Sequence, residues 1–442
     1  MKLLLRFLAM GALVLALLVP LSLIRGTIHE RQAYRDQAIE RVAQGSAGEQ
    51  RLMAPLRVVP WSDVTQVQYT DKEGVTRTHT ERSSGTLLHL PKTLDLRGDI
   101  VPETRRIGVF EVRVYRLRAH LAASFDTRLP AVPAGTTRTY GRPYLVLGVS
   151  DVRGLVGVPK VLADGRALRF EPGTRDYSAR ISGVSATLPG VDGQVAPAAA
   201  VRMEFVLAGT EALSIVPLAD RNQIAIDSAW PHPSFGGDFL PTNRTIHAGG
   251  KGFEASWDIS SLASQARLQV AEMALSTGTD NGVEQLQIRL VDPVEVYAQA
   301  DRASKYGILF VLLTFVGFAL FELIRRLSIH PLQYLLVGLA LAIFFLLLLS
   351  LAEHMAFWKA YLAAAAACIG LQFTYLSGVL GSAKRAAGFA VMLTALYAAL
   401  YSLLVSEDNA LLMGSLLLFG ILAAIMWITR KLDWYALGAT LR

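Results

Sequence analysis

The chain of 442 residues is 52% hydrophobic and 18% charged, with a formal net charge of +7. Residues 26–305 nevertheless hold 32 Lys and Arg against 31 Asp and Glu, so the surplus flanks apolar segments and composition excludes a nucleic-acid partner. The single cysteine, Cys368, lies in an apolar stretch, which excludes a disulfide scaffold and any Cys-based zinc site or thiol nucleophile outside a membrane.

A bilayer core about 30 Å thick needs about 20 apolar residues per helix. Six segments meet that length: 7–24, 306–324, 332–352, 357–380, 386–405 and 410–429. The first resembles a signal peptide, but its 18 apolar residues run through Pro20 into Arg25 without a small-x-small cleavage pattern, so it reads as a signal anchor. The predicted fold class is therefore a polytopic α-helical membrane protein with six spans and one large extramembrane domain, residues 25–305, inserted between spans one and two.

Lys and Arg resist translocation and collect on the cytoplasmic side. Lys2 and Arg6, Arg325 and Arg326, Lys384 and Arg385, and Arg430 and Lys431 alternate along the chain with loops that carry Glu353-His354 and Glu407-Asp408, where Lys359 is the one nearby base. This alternation predicts a cytoplasmic N-terminus (1–6), a cytoplasmic tail (430–442) and a periplasmic large domain, in a bacterial inner membrane.

In chain order, 25–51 is charged and helix-permissive. Beyond Pro55 the pattern has period two, as half-buried strands do. Segments 64–69 and 75–79 flank Asp71-Lys-Glu-Gly74, a hairpin signal, and 112–121 alternates with a change of phase near Tyr115 that suggests a bulge. The continuous apolar run 144–149 suits a buried strand. Asp164-Gly165 predicts a two-residue hairpin turn within 161–170. Further strands are predicted at 201–207, 223–226, 253–257, 268–274 and 286–291. The domain reads as mainly β and sandwich-like, and the Pro/Gly clusters at 189–197 and 231–252 are each a candidate boundary between two lobes.

No nucleophile elbow, zinc-protease motif or P-loop is present, so no catalytic residue, metal or cofactor is predicted. The densest aromatic and proline group is Trp230-Pro-His-Pro-Ser-Phe-Gly-Gly-Asp-Phe-Leu-Pro241. It is either an interaction loop displaying Trp230, His232, Phe235, Asp238 and Phe239, or a buried corner that closes a sandwich. His232, Asp238 and His247 read as structural, and Arg116, Arg118 and His120 as the solvated face of a strand. Within the spans only mild polar groups occur (Thr314, Gln372, Thr374, Thr394, Tyr397), with Glu322 placed to pair with Arg325 or Arg326, which disfavours an ion-coupled carrier. Small residues along 363–378 suit close helix packing.

The 230–241 segment, Asp301-Arg-Ala-Ser-Lys-Tyr306, His330-Pro-Leu-Gln-Tyr-Leu-Leu-Val-Gly-Leu339 running on to Ser350-Leu-Ala-Glu-His354, and Thr429-Arg-Lys-Leu-Asp-Trp-Tyr435 together resemble the CreD family of bacterial inner-membrane proteins. The resemblance spans nearly the whole chain, with only seven residues after Tyr435. It implies a role in cell-envelope integrity and envelope stress, and it carries no catalytic residues. The expected activity is non-enzymatic binding of an envelope component or protein partner, with the lipid bilayer as the other partner. The layout is also similar to that of YidC-type insertases, but no arginine lies mid-span and the short 325–331 connection replaces their long cytoplasmic hairpin. An enzyme acting on lipid or peptidoglycan is the third class considered.

Overall fold

A computed structural model describes residues 2–70, 76–177, 181–193, 195–275, 282–291, 296–325, 330–405 and 410–430. The chain forms two compact units, one of Met1–Asp36 with Val294–Arg442 and one of Gln37–Pro293. It begins with α1 (Lys2–Gly45), β1 (Gln50–Thr70), β2 (Thr76–His89), β3 (Thr93–Ile107), β4 (Phe110–Ser124), β5 (Thr136–Tyr140) and β6 (Tyr144–Val149). Next come β7 (Leu155–Ala163), β8 (Arg166–Leu168), β9 (Phe170–Pro172), β10 (Gly183–Thr187), β11 (Ala200–Thr210), β12 (Ala212–Val216) and β13 (Arg221–Ser228). The β-rich part closes with β14 (Pro233–Gly237), β15 (Asn243–Ile246), β16 (Phe253–Ser260), α2 (Ala266–Leu275) and β17 (Leu286–Leu290). The remaining helices are α3 (Val296–Arg325), α4 (Pro331–Ala352), α5 (Phe357–Val379), α6 (Ala383–Val405) and α7 (Ala410–Thr429).

Residues 37–293 build two sheets. One has nine strands in the path β14-β17-β12-β1-β6-β10-β9, with β2 and β5 also paired to β1; the other runs β15-β16-β13-β3-β4-β11-β7-β8. Period-two burial explains the pairing of faces: β13 alternates fully between exposed and buried, and its buried Ile224 and Ile226 join Leu96, Leu117, Leu207 and Trp257 from neighbouring strands. The other sheet supplies Leu52, Val58, Val146, Leu147, Leu213 and Ile215 to the same continuous core. The run 144–149 is buried at every position, as its unbroken apolar character predicts. Asp164 and Gly165, at φ 48 and 80, form the two-residue turn between β7 and β8, because only such left-handed angles match the twist of the flanking strands. β1 and β2 pair from Arg57↔His89 to Thr70↔Thr76, so the first hairpin forms; its turn, Asp71–Gly74, lies outside the described residues.

Three expectations are corrected. Residues 268–274 are not a strand but part of α2, where Ala266, Val270 and Ala274 are buried four residues apart while Leu268 is exposed. The phase change near Tyr115 is real, yet β4 pairs with β3 and β11 without a register shift, so there is no bulge there. Val112 and Val114 instead pack with Ala38 and Val42 from the end of α1, whereas Tyr115 and Leu117 join the main core. Neither Pro/Gly cluster separates lobes: Leu188, Ala196 and Ala198 are buried, and 231–252 carries β14 into one sheet and β15 into the other. In keeping with the helix-permissive character of 25–51, α1 continues to Gly45, and α3 starts at Val296.

In the helical unit, among the described residues, five helices are long and apolar enough to cross a membrane: Gly11–Gly45, Val296–Ala319, Pro331–Ala352, Phe357–Val379 and Ala383–Val405. The last segment forms α7, whose side chains are described over Leu412–Trp427 and make an apolar helix there. On α1, Leu17, Leu21, Ile24 and Ile28 form a buried stripe at heptad-like spacing, while Leu15, Val19 and Leu23 are exposed on another face. Gly338 and Gly307 receive that stripe: a Cβ at Gly338 would lie 2.2 Å from Leu17, and one at Gly307 3.1 Å from Leu21. Aromatic edges fill the interior, with Phe318 against Tyr334 (4.7 Å) and Phe389 (4.9 Å), and Phe344 against Tyr361 (5.3 Å) and Tyr397 (4.6 Å).

Candidate functional site

The 230–241 segment links β13 to the edge strand β14 and leads on to the edge strand β15 of the opposite sheet. Its three aromatics turn inward. Phe235 meets Phe253 (5.4 Å) and Trp257 (5.8 Å) edge-on, and the Trp257 indole donates to Phe239 O at 3.2 Å. The Trp230 indole donates to His232 O (3.0 Å) and Val291 O (3.2 Å), and the Arg113 guanidinium lies 5.0 Å from its ring. Trp230, Phe235 and Phe239 are all half-buried against the main core. Asp238 accepts from Gln285 N at 2.9 Å, and His247 lies 3.3 Å from Glu254. His232, Ser234, Asp238 and Leu240 are the exposed side chains, so the geometry is that of a sandwich corner with a narrow polar rim. The trio His232, Asp238 and His247 does not converge, and no group of three or more metal-ligating side chains occurs among the described residues.

Beside this corner, the outer face of the eight-stranded sheet is densely charged. Arg116 pairs with Glu103 (2.6 Å), Arg118 with Asp99 (3.8 Å), and His120 lies 3.9 Å from Glu204, as the alternation of β4 predicts for a solvated face. Asp227 stands in register between Asp99 and Glu254 on adjacent strands. Partial burial and these two like charges raise its carboxyl above the usual range. Next to this row is an open cleft of about 340 Å³, lined by Asp95, Arg97, Gln223, Thr242, Asn243 and Asp258 among others. Sequence reading missed it, because its lining joins β13, the chain entering β15 and β16 to β3, which lies far earlier in the chain.

A second buried polar group lies inside the β unit. Arg57 is fully buried and donates to Pro197 O (3.0 Å), to His89 Nδ1 (2.6 Å) and to Asp126 O, with its guanidinium 5.2 Å from the Phe125 ring. Burial lowers Arg57 to about 10; burial together with the Arg57 charge lowers His89 to about 4. His89 is therefore a neutral acceptor at physiological pH, and the group clamps the 126 and 197 loops to β1.

In the helical unit, two carboxylates organise charges from different helices. Asp301 takes Arg25 Nε (3.3 Å), His29 Nε2 (3.3 Å) and Lys305 Nζ (2.7 Å). Glu353, the C-cap of α4, accepts from the Tyr297 hydroxyl (3.1 Å) and lies 3.6 Å from Arg31 Nε. These residues were not singled out as a site, although Asp301 and Glu353 belong to two of the segments that carry the family resemblance. The i,i+4 spacing of Asp301 and Lys305 was the available signal. Mid-span, Thr314 and Gln372 are buried and their side-chain polar atoms have no partner among the described residues. The side chains of Glu322 and Arg325, and residues Arg326, Glu407 and Asp408, lie outside the described set, as does the tail from Lys431.

The family profile described as "Inner membrane protein CreD" matches residues 2–435. The chain belongs to the CreD family. It is 36% identical to the inner membrane protein CreD of Escherichia coli K12 over 429 residues, which cover 96% of this chain and 92% of that protein. Family membership and the apolar helices together make the chain a multi-pass inner-membrane protein.

Proposed function

We propose that this is a six-span protein whose β domain stands in the periplasm, with both termini cytoplasmic, and that it contributes to cell-envelope integrity by non-catalytic binding of an envelope component or protein partner. The alternating basic loops support the orientation. The bases just outside the apolar stretches of α1 and α3 fit it as well: Arg25 and Lys305 share Asp301, and Arg31 faces Glu353, which offsets part of their charge. The binding reading rests on the cleft beside the 230–241 corner. Asp95, Arg97, Gln223, Asn243 and Asp258 offer donors and acceptors on one open face, suited to hydrogen-bonding a polar ligand rather than burying an apolar one.

A photo-crosslinking residue at Asn243 or Arg97 of the full-length protein in cells tests this. Recovery of the same envelope adduct from both positions, and not from the exposed Leu262, is the expected result. Equal, non-specific yields from all three positions would remove the cleft as a binding face.

A further inference from the structure

We propose that Arg25, His29 and Lys305 form a binding site for the phosphate of an anionic membrane phospholipid, with an acyl chain lying along Ile308 and Leu312. Asp301 is the anchor. Its side chain is only 15% exposed, whereas Arg25, His29 and Lys305 around it are 47%, 57% and 50% exposed, so the carboxylate holds the cations while much of each faces outward. One carboxylate neutralises one cation, which leaves an excess positive charge on the group even with His29 neutral.

What lies next to the cations favours a lipid over a soluble anion. Asp301, Lys305, Ile308 and Leu312 occupy positions i, i+4, i+7 and i+11 of α3, one face of the helix. Ile308 and Leu312 are exposed large apolar residues, and Leu23, also exposed, immediately precedes the charged stretch of α1. The surface of both helices thus changes from charged to apolar at one level, and about 10 Å of helix separates Lys305 from Leu312. A headgroup at the cations places its tail on that apolar stripe; a free phosphate would use only the upper half.

The test uses the full-length protein in mild detergent, titrated with phosphatidylglycerol or phosphatidylcholine of identical acyl chains and read by native mass spectrometry. The account predicts one phosphatidylglycerol retained at about tenfold lower concentration than phosphatidylcholine. Arg25→Gln with Lys305→Gln should abolish the difference and Lys305→Gln alone should reduce it severalfold. Lys384→Gln with Arg385→Gln, at two exposed cations starting α6, should leave it intact. Equal retention of the two lipids, equal loss from both double variants, or displacement of the lipid by inorganic phosphate would overturn the proposal.

Discussion

Acidification should weaken the β domain through His89 at a higher pH than the one at which the paired carboxylates Asp63 and Asp126 titrate. The imidazole is neutral in the fold because burial and Arg57 lower it from its ordinary 6.5 to about 4. The unfolded chain binds the proton more readily, so stability is complete above pH 6.5, falls between 6.5 and 4, and levels off below 4. The full shift corresponds to about 3 kcal/mol; His89 is only half-buried, and screening by solvent brings the expected loss to roughly 1–2 kcal/mol. Asp63 and Asp126, held below the usual carboxylate range by hydrogen bonds from Arg138 and from Arg128 N with Lys92 respectively, add their losses only at lower pH. Urea unfolding of the full-length protein in detergent, followed by tryptophan fluorescence between pH 7.5 and 4.5, measures the slope. His89→Gln keeps an acceptor for Arg57 and removes the titration, so its stability should be flat across that window. A flat profile in the parent chain, or the same slope in His89→Gln, would refute the reasoning.

At the 230–241 corner, Phe235→Ala should cost about 2–3 kcal/mol of β-domain stability in the same urea assay, because it removes two edge contacts, whereas Leu240→Ala at an exposed position should stay within about 0.5 kcal/mol. In the helical unit, Gly338→Ala forces a Cβ against Leu17 and should lower the thermal midpoint in detergent, at a cost of about 1–3 kcal/mol. Gly370→Ala, where a Cβ meets nothing within 4 Å, should leave the midpoint unchanged.

Local rules carried the fold where one residue type decides the geometry. Asp164-Gly165 announced its turn through the left-handed angles it must adopt, and 144–149 announced a strand buried on both faces. They failed where tertiary packing chose between two periods. Leu268, Val270 and Met273 look strand-like in isolation, but Ala266, Val270 and Ala274 are what the core selects, and small alanines give a weak helical signal. Near Tyr115 the pattern itself was legible; its cause, a helix end covering the second face of β4, was not local. The outer cleft and the Asp301 group escaped for the same reason, since each gathers side chains from several segments that only the fold brings together. The 230–241 segment was conspicuous by composition, yet composition did not distinguish aromatics that face out from aromatics that fill a corner.

The orientation of the β domain is tested most directly by cysteine labelling. With Cys368, buried in α5, replaced by serine, Leu262→Cys places one thiol at a position that is 97% exposed. A membrane-impermeant maleimide should label it in intact spheroplasts, whereas Lys384→Cys in the same background should react only in inverted vesicles. The opposite pattern, with Leu262→Cys protected until the membrane is inverted, would contradict the account.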